Sequence, residues 1–382
     1  MKADRKLRIG FIPLVDAASL LVAVDKGFAA EEGLDVELVQ EISWSNIRDR
    51  LSIGQYQAAH LLAPMALAAT LGLRQLKRPT IACLNLAMNG NAITVSPKLY
   101  ERLASVAQGD LADPSVSARA LKTVISLRES RGEEPFTFGM TFPFSTHNYQ
   151  LRFWMAEGGI DPDRDVRLIV LPPPYMVENL AKGQVDGFCV GAPWNTVAEI
   201  HGVGIVLHPG CAIFNPAPEK TLAIGAELAG SEPETAVGLI RACLKAADFI
   251  ASPENRPEAF AMLSRADRVG AGAEALQRTF EGRVGPAGVT KDYLVFGDAA
   301  SGKPDPFQAA WLYAQMVRWG QAPFSMEALQ TARSVYEDAC FERASGGSVT
   351  EKTSTIGAFS GVEFNAFELE AYLRSFPIGS GV

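Results

Sequence analysis

The chain has 382 residues, of which 48% are hydrophobic and 20% charged, and a formal charge of −8. A single hydrophobic core stops growing near ~250–300 residues, so this length predicts two or more lobes in an ordinary globular composition. The acidic balance argues against a nucleic-acid binder that works by neutralising phosphates, and any anion site must overcome the protein's own field locally.

The N-terminus "MKADRKLRIGFIPLVDAASLLVAV" joins basic residues to an apolar run, but Pro13 and Asp16 interrupt it. "LRIGFIPL" therefore reads as a first buried strand starting at about residue 7 rather than as an export signal. No cysteine near the start is placed to take a lipid, and no stretch reaches the ~18–20 apolar residues of a membrane helix. Cys83, Cys189, Cys211, Cys243 and Cys340 are odd in number, scattered and without C-x-x-C spacing. Reduced thiols in the cytoplasm suit that pattern better than a disulfide framework or a zinc site. A periplasmic protein whose signal had been removed would read the same way.

Two segments repeat one another. "RIGFIPL", "EEGLDVEL" and "IRDRLSIGQYQAAHLLAP" are matched by "TFGMTFPF", "AEGGIDPDRDVRLIV" and "VENLAKGQVDGFCVGAP". In each a strand carrying Gly10 or Gly139 leads to a helix, then to Gly33–Asp35 or Gly159–Asp161, then to a second helix closed by Gly54-Gln55 or Gly183-Gln184. Both Gly-to-Gly-Gln intervals are 44 positions, and Pro64 and Pro193 each follow ten positions later. The pattern predicts two β-α-β-α-β units, with left-handed glycines at helix ends and parallel sheets covered by helices on both faces. Ligands of such sheets sit beyond the carboxyl ends of the strands, where His147 and the Pro13–Ser19 loop fall. From about Cys211 the chain reads as mostly helical. "DPFQAAWLYAQMVRWGQ" has Asp305 as N-cap, Pro306 at the first position and Gly320 past the end, so that Trp311, Met316 and Trp319 read as packing residues. "ERASGGSVTEKTSTIGAFSG" reads as a mobile connector to a last short helix near "FELEAYLRSF".

The chemistry-bearing motifs are sparse. There is no Gly-x-Ser-x-Gly, and Ser145, Thr146 and His147 are too close in sequence to imply a triad. His60, His147, His201 and His208 show no metal-ligand spacing. "GAGAEAL" at Gly270 lacks the strand and third glycine of a nucleotide loop and reads as a loop leading into a helix. On these grounds His147 is either a structural cap or a grip for something small.

The segments "GFIPLVDAASLLVAVDKGFAAEEGLDVEL", "SWSNIRDRLSIGQYQAAHLLAPMALA", "MNGNAITVS", "STHNYQLRFWMAEGGIDPDRDV", "LPPPYMVENLAKGQVDGFCVGAPWN" and "PAPEKTLAI" run in order from about Gly10 to Ile224. Together they resemble the nitrate- and bicarbonate-binding solute receptors of ABC transporters. The resemblance implies an α/β, two-lobed periplasmic-binding-protein fold, type II, with a ligand cleft between lobes. Residues 1–90 with about 211–382 would form one lobe, and 91–210 the other. It also implies that Trp44, Asn91, His147 and Lys220 hold nitrate, with Asn91 standing where the family usually has glutamine. Thr146 and Glu219 are secondary candidates, Glu219 as acceptor for the proton of a bicarbonate. The donors fit independently: a planar anion offers only acceptors, and an indole, an amide, an imidazole and an ammonium all donate.

Within the family, the early first strand is most similar to the cytoplasmic nitrate/nitrite sensors of the NasS type. That branch implies a protein regulating nitrate-assimilation genes by ligand-controlled binding of an RNA-binding antiterminator, with no enzymatic step, no cofactor, no direct nucleic-acid contact and no membrane insertion. The alternative is the solute-binding component of a nitrate or bicarbonate uptake system. A third class, enzymes of thiamine-precursor type on the same fold, would require a reactive cysteine or histidine acting on a larger ligand.

Overall fold

The computed structural model describes residues 6–286, 288–296, 299–347 and 355–379. Its strands, in chain order, are β1 (Leu7–Phe11), β2 (Val36–Gln40), β3 (Ala58–Leu62), β4 (Thr80–Asn89), β5 (Asn91–Val95), β6 (Thr137–Met140), β7 (Arg167–Val170), β8 (Gly187–Gly191), β9 (Ile205–Pro209), β10 (Phe214–Asn215), β11 (Pro218–Gly225), β12 (Leu294–Val295) and β13 (Gly357–Ala358). Among the described residues they form a six-stranded sheet of order β12-β4-β11-β3-β1-β2, a five-stranded sheet of order β7-β6-β8-β5-β9, and the pair β10-β13.

The repeat folds as two copies of one pairing scheme. β1 lies between β2 and β3 in parallel, with Gly10 opposite Val39 and Ala59. β6 lies between β7 and β8 in parallel, with Gly139 opposite Ile169 and Phe188. Both strand glycines make room for a neighbouring element. A Cβ on Gly10 would stand 2.4 Å from Cε2 of Tyr56 and 2.9 Å from Cδ1 of Ile47, and one on Gly139 would stand 3.0 Å from Sδ of Met176. The turn glycines behave as expected: Gly54 and Gly183, just past the helices Trp44–Ser52 and Met176–Ala181, have φ of 74° and 66°. Pro64 falls in the first turn of the helix Ala63–Leu71, and Pro193 caps the helix Trp194–Ile200.

The expectation of parallel sheets holds only inside the repeats. β4 and β11 run antiparallel to each other and β11 antiparallel to β3, while β5 runs antiparallel to β8 and β9. The chain leaves the larger sheet at the end of β4, joins the smaller one as β5, and returns after β9 to become β11. The strands entered after each crossing, β5 and β11, run against the repeat strands. The reading of the region after Cys211 as mostly helical therefore overlooked β11, a central strand whose Glu219 and Lys220 break the apolar run that marks a buried strand.

The later helices follow their sequence signals. Asp305 accepts from the Phe307 amide to cap Pro306–Arg318, Gly320 has a φ of 64°, and Trp311 and Met316 are fully packed, with Trp319 at the rim of the same core. Of the stretch 342–361 read as a connector, residues 342–345 instead finish the helix Ala339–Ser345, 357–358 form β13, and 348–354 lie outside the described residues; the last helix is Leu369–Arg374.

Gly10→Ala should destabilise the protein by about 1–3 kcal/mol, because Tyr56 and Ile47 must give way. Gly225→Ala, where nothing lies within 4 Å of the added carbon, should stay within about 0.5 kcal/mol in the same urea unfolding experiment.

Candidate anion site

β11 delivers Lys220 to the junction of the two sheets. Irregular register on either side of Lys220 re-aims the strand end, and its side chain is completely buried. The ammonium stands 2.8 Å from Asp16 Oδ2 and 2.9 Å from Glu219 Oε2, and 3.4 Å from both Asn91 Oδ1 and His147 Nε2. Each neighbour arrives from a different element. Asp16 lies in a 3-10 turn after β1, Asn91 opens β5, and His147 is in the first turn of the helix Thr146–Glu157, which Ser145 caps by accepting from the Asn148 amide.

The turn bearing Asp16 is tied across to the β8 end by the Val15 amide, which donates to Ala192 O at 2.9 Å, and Trp194 Nε1 donates to Pro13 O at 3.1 Å. Gly191, paired with Asn91, lets the two sheets approach here. A Cβ on it would stand 3.2 Å from Asp16 Oδ2 and 3.3 Å from Lys220 Nζ.

The outer shell is also polar and closed. His60, on β3, accepts from the Ile12 amide at Nδ1, so Nε2 carries the proton, and it stands 2.8 Å from Asp16 Oδ1. The Trp44 ring lies against His60 with centroids 5.3 Å apart, and its buried Nε1 has no hydrogen-bond partner among the described residues. Asn91 Nδ2 donates to Gln150 Oε1 at 3.0 Å and to Glu219 Oε1. His147 Nδ1 lies 3.1 Å from Thr141 Oγ1. Because an ammonium can only donate, His147 Nε2 accepts from Lys220 in this arrangement.

Charge is divided unequally in this cluster. Burial would pull the Lys220 ammonium down, but Asp16 and Glu219 outweigh it and hold it above the ordinary lysine value. Burial would raise Asp16, yet the charge of Lys220 and the contact with His60 keep it well below the usual carboxylate range. For Glu219 burial prevails over the pull of Lys220, and its carboxyl is pushed up to about 7. Burial, reinforced by Lys220, drives His147 well below the usual imidazole value, and burial lowers His60 despite Asp16. One ammonium fully offsets one carboxylate; Asp16 is the firm partner and Glu219 the loose one.

The NMT1-like family matches residues 2–264. The chain belongs to that family. It is 35% identical to the bicarbonate transport ATP-binding protein CmpC and 33% identical to the nitrate import ATP-binding protein NrtC, both from Synechocystis sp., over 97% of this chain in each case. The chain spans about 55% of the length of those two relatives. The crystal structure of the periplasmic nitrate-binding protein NrtA from Synechocystis PCC 6803 superposes with a TM-score of 0.88 at 26% identity, covering 98% of both chains. The resemblance read from the sequence thus holds, and the fold of this NMT1-like protein is that of a two-lobed periplasmic binding protein.

Of the residues singled out from the sequence, Asn91, His147, Glu219 and Lys220 meet directly, and Trp44 joins through His60 and Asp16. Thr146 is engaged elsewhere, because its hydroxyl donates to Pro218 O at 2.7 Å and pins the helix start to β11. Sequence reasoning missed Asp16, His60 and Gln150 as members of the cluster. The signal for Asp16 was present as a lone charge in an apolar run, and that for His60 as a histidine inside "AAHLLAP". Among the described residues no group of His, Cys, Asp and Glu is arranged to hold a metal ion, and no helix is long and apolar enough to cross a membrane.

The high Glu219 value makes a stability prediction. A buried carboxyl raised above its ordinary 4.5 contributes fully below that value, and its contribution is lost as pH rises through about 7. The stability difference between Glu219→Gln and the parent should therefore move in favour of the glutamine variant between pH 5 and pH 8, the histidines being common to both. Urea unfolding at three pH values reads this directly; a difference that stays constant would show that Glu219 does not titrate in that window.

Proposed function

We propose that this NMT1-like protein binds a small planar oxyanion, nitrate or nitrite, between a lobe of residues 1–90 with 211–382 and a lobe of residues 91–210, and releases it unchanged. The observation that carries this reading is the enclosed polar cluster around the Lys220 ammonium: the donating Asn91 amide, the His147 imidazole beside the ammonium, and the unpartnered indole N–H of Trp44 close by. A buried donor without a partner costs stability in the free protein and becomes favourable once an acceptor arrives. Charge-assisted hydrogen bonds contribute roughly 1.5–3 kcal/mol each, and micromolar affinity needs about −8 kcal/mol, so three or four suffice in a closed cleft. The names of NrtA and NrtC, as nitrate-binding and nitrate-import proteins, support the same ligand class.

The biological use we propose is that of a cytoplasmic sensor whose ligand-free form holds an RNA-binding antiterminator and whose nitrate-bound form releases it. Five free cysteines suit a reducing compartment. Such a switch requires that nitrate bind the two conformations unequally. The second reading, a solute-binding component of a nitrate or bicarbonate uptake system, is favoured by the relatives, which are named as transport components.

Calorimetric titration with nitrate, nitrite, bicarbonate and sulfate should give binding to at least one of the first three, and silence toward all three removes the oxyanion reading. Trp44→Phe and His147→Ala should each weaken binding by about 1.5 kcal/mol, roughly tenfold. Pull-down of the antiterminator from the same cytoplasm, with and without nitrate, separates the two uses: capture only without nitrate supports the sensor, and no capture in either condition leaves the uptake component.

A further inference from the structure

The donors that should hold an oxyanion are already subscribed, and one group takes two of them. Lys220 has three N–H bonds, directed among Asp16 at 2.8 Å, Glu219 at 2.9 Å, and Asn91 Oδ1 and His147 Nε2 at 3.4 Å. Asn91 has two amide hydrogens, committed to Gln150 and to Glu219. The Glu219 carboxylate thus spans the ammonium with Oε2 and the amide with Oε1, a flat O–C–O fork on the very pair of donors that would grip two oxygens of nitrate.

We propose that the Glu219 carboxylate is a resident occupant of the anion position, and that an incoming oxyanion displaces it from Lys220 and Asn91 and leaves it protonated. The inference rests on the oxyanion reading of the site and adds the exchange and the proton to it. Asp16 is the poorer candidate for displacement, since it is held from its other side by His60 Nε2 at 2.8 Å. Glu219 is 1% exposed, and once moved off its donors it faces both the bound anion and Asp16. An ionised carboxylate in that position loses its counter-charge without gaining water, so it takes a proton from solvent, and its O–H then has the anion as an acceptor. The net step is one anion and one proton taken up together.

Other titratable groups facing Glu219 do not compete for this role. From β11 itself there is Lys220, from the turn after β1 Asp16, from β3 His60, from the helix after β6 His147, from β8 Cys189, and beyond the helix Met326–Arg333 there is Tyr336. Cys189 and Tyr336 are raised by burial and stay neutral, and the two histidines are lowered by burial and stay neutral. Glu219, pushed up to about 7 in the free protein, is the group whose ionisation lies in the working range. Binding raises it further. Above about pH 7 the bound form therefore holds a proton that the free form lacks, and affinity must fall as pH rises; below that value both forms are protonated and the dependence fades.

The test is calorimetry with potassium nitrate at pH 6, 7, 8 and 8.5, in two buffers of different ionisation enthalpy, on the full chain and on Glu219→Gln. The parent is expected to lose about tenfold in affinity per pH unit above neutrality and to take up close to one proton per nitrate. Glu219→Gln is expected to bind at least about tenfold more tightly than the parent at pH 8, with no proton uptake and a flat pH profile. A flat parental profile without proton uptake overturns the proposal, as does weaker binding by a folded Glu219→Gln at pH 8. Should that variant fail to fold, the proton count of the parent alone decides. No response to nitrate, nitrite or bicarbonate at pH 6 in either protein removes the oxyanion reading itself, a result distinct from binding that ignores pH.

Discussion

The pairing of one buried ammonium with two carboxylates is the constraint on which this molecule is arranged. Lys220 has no exposed surface. Removing an ion from water costs several kcal/mol unless counter-charge and hydrogen bonds replace the solvent, and an unpaired lysine there would give up its proton. Keeping it charged brings the turn after β1, the starts of β11 and β5 and the first turn of the helix Thr146–Glu157 to one point. Gly191 leaves room for that convergence, since a methyl there would crowd both Asp16 and Lys220. His60 and Thr146 follow as supports: one holds the far oxygen of Asp16, the other ties the helix start to β11.

Much of the fold was legible because it is written in local chemistry that repeats. Gly10 and Gly139 mark where a helix crosses close to a strand, Gly54 and Gly183 mark left-handed helix ends, and their equal spacing reveals the two units before any contact is known. Asp305 caps where the sequence places a cap. β11 was not legible for the opposite reason. Its central place in the sheet is a long-range fact, and the two charges it carries inward are the kind of residue that usually marks a surface.

The site divides along the same line. Trp44, Asn91, His147 and Lys220 were named through quoted motifs, yet nothing local says that they meet, or that Lys220 would be neutralised before any ligand came near. Asp16 and His60 were visible as a charge and a ring in apolar runs, and their partnership joins residues 44 positions apart through a register between β1 and β3. Gln150 looked like one polar residue on an ordinary helix; only the approach of β5 makes it a partner of Asn91. The imidazole of His147, expected to donate, instead accepts from Lys220, because a neighbouring ammonium fixes which nitrogen carries the proton.

The distribution of these groups over the two sheets has a mechanical consequence. Asp16, Glu219 and Lys220 all belong to the turn or strand ends of the six-stranded sheet, and His60 stands behind them on β3, whereas β5 and the helix after β6 contribute only amides and an imidazole. Pulling the sheets apart therefore breaks hydrogen bonds from neutral groups but never separates the cation from its counter-ions. Such a separation would work against dipoles rather than against Coulomb attraction between opposite charges. Ionic strength, which weakens the capture of a charged ligand from solution, would leave its cost nearly untouched.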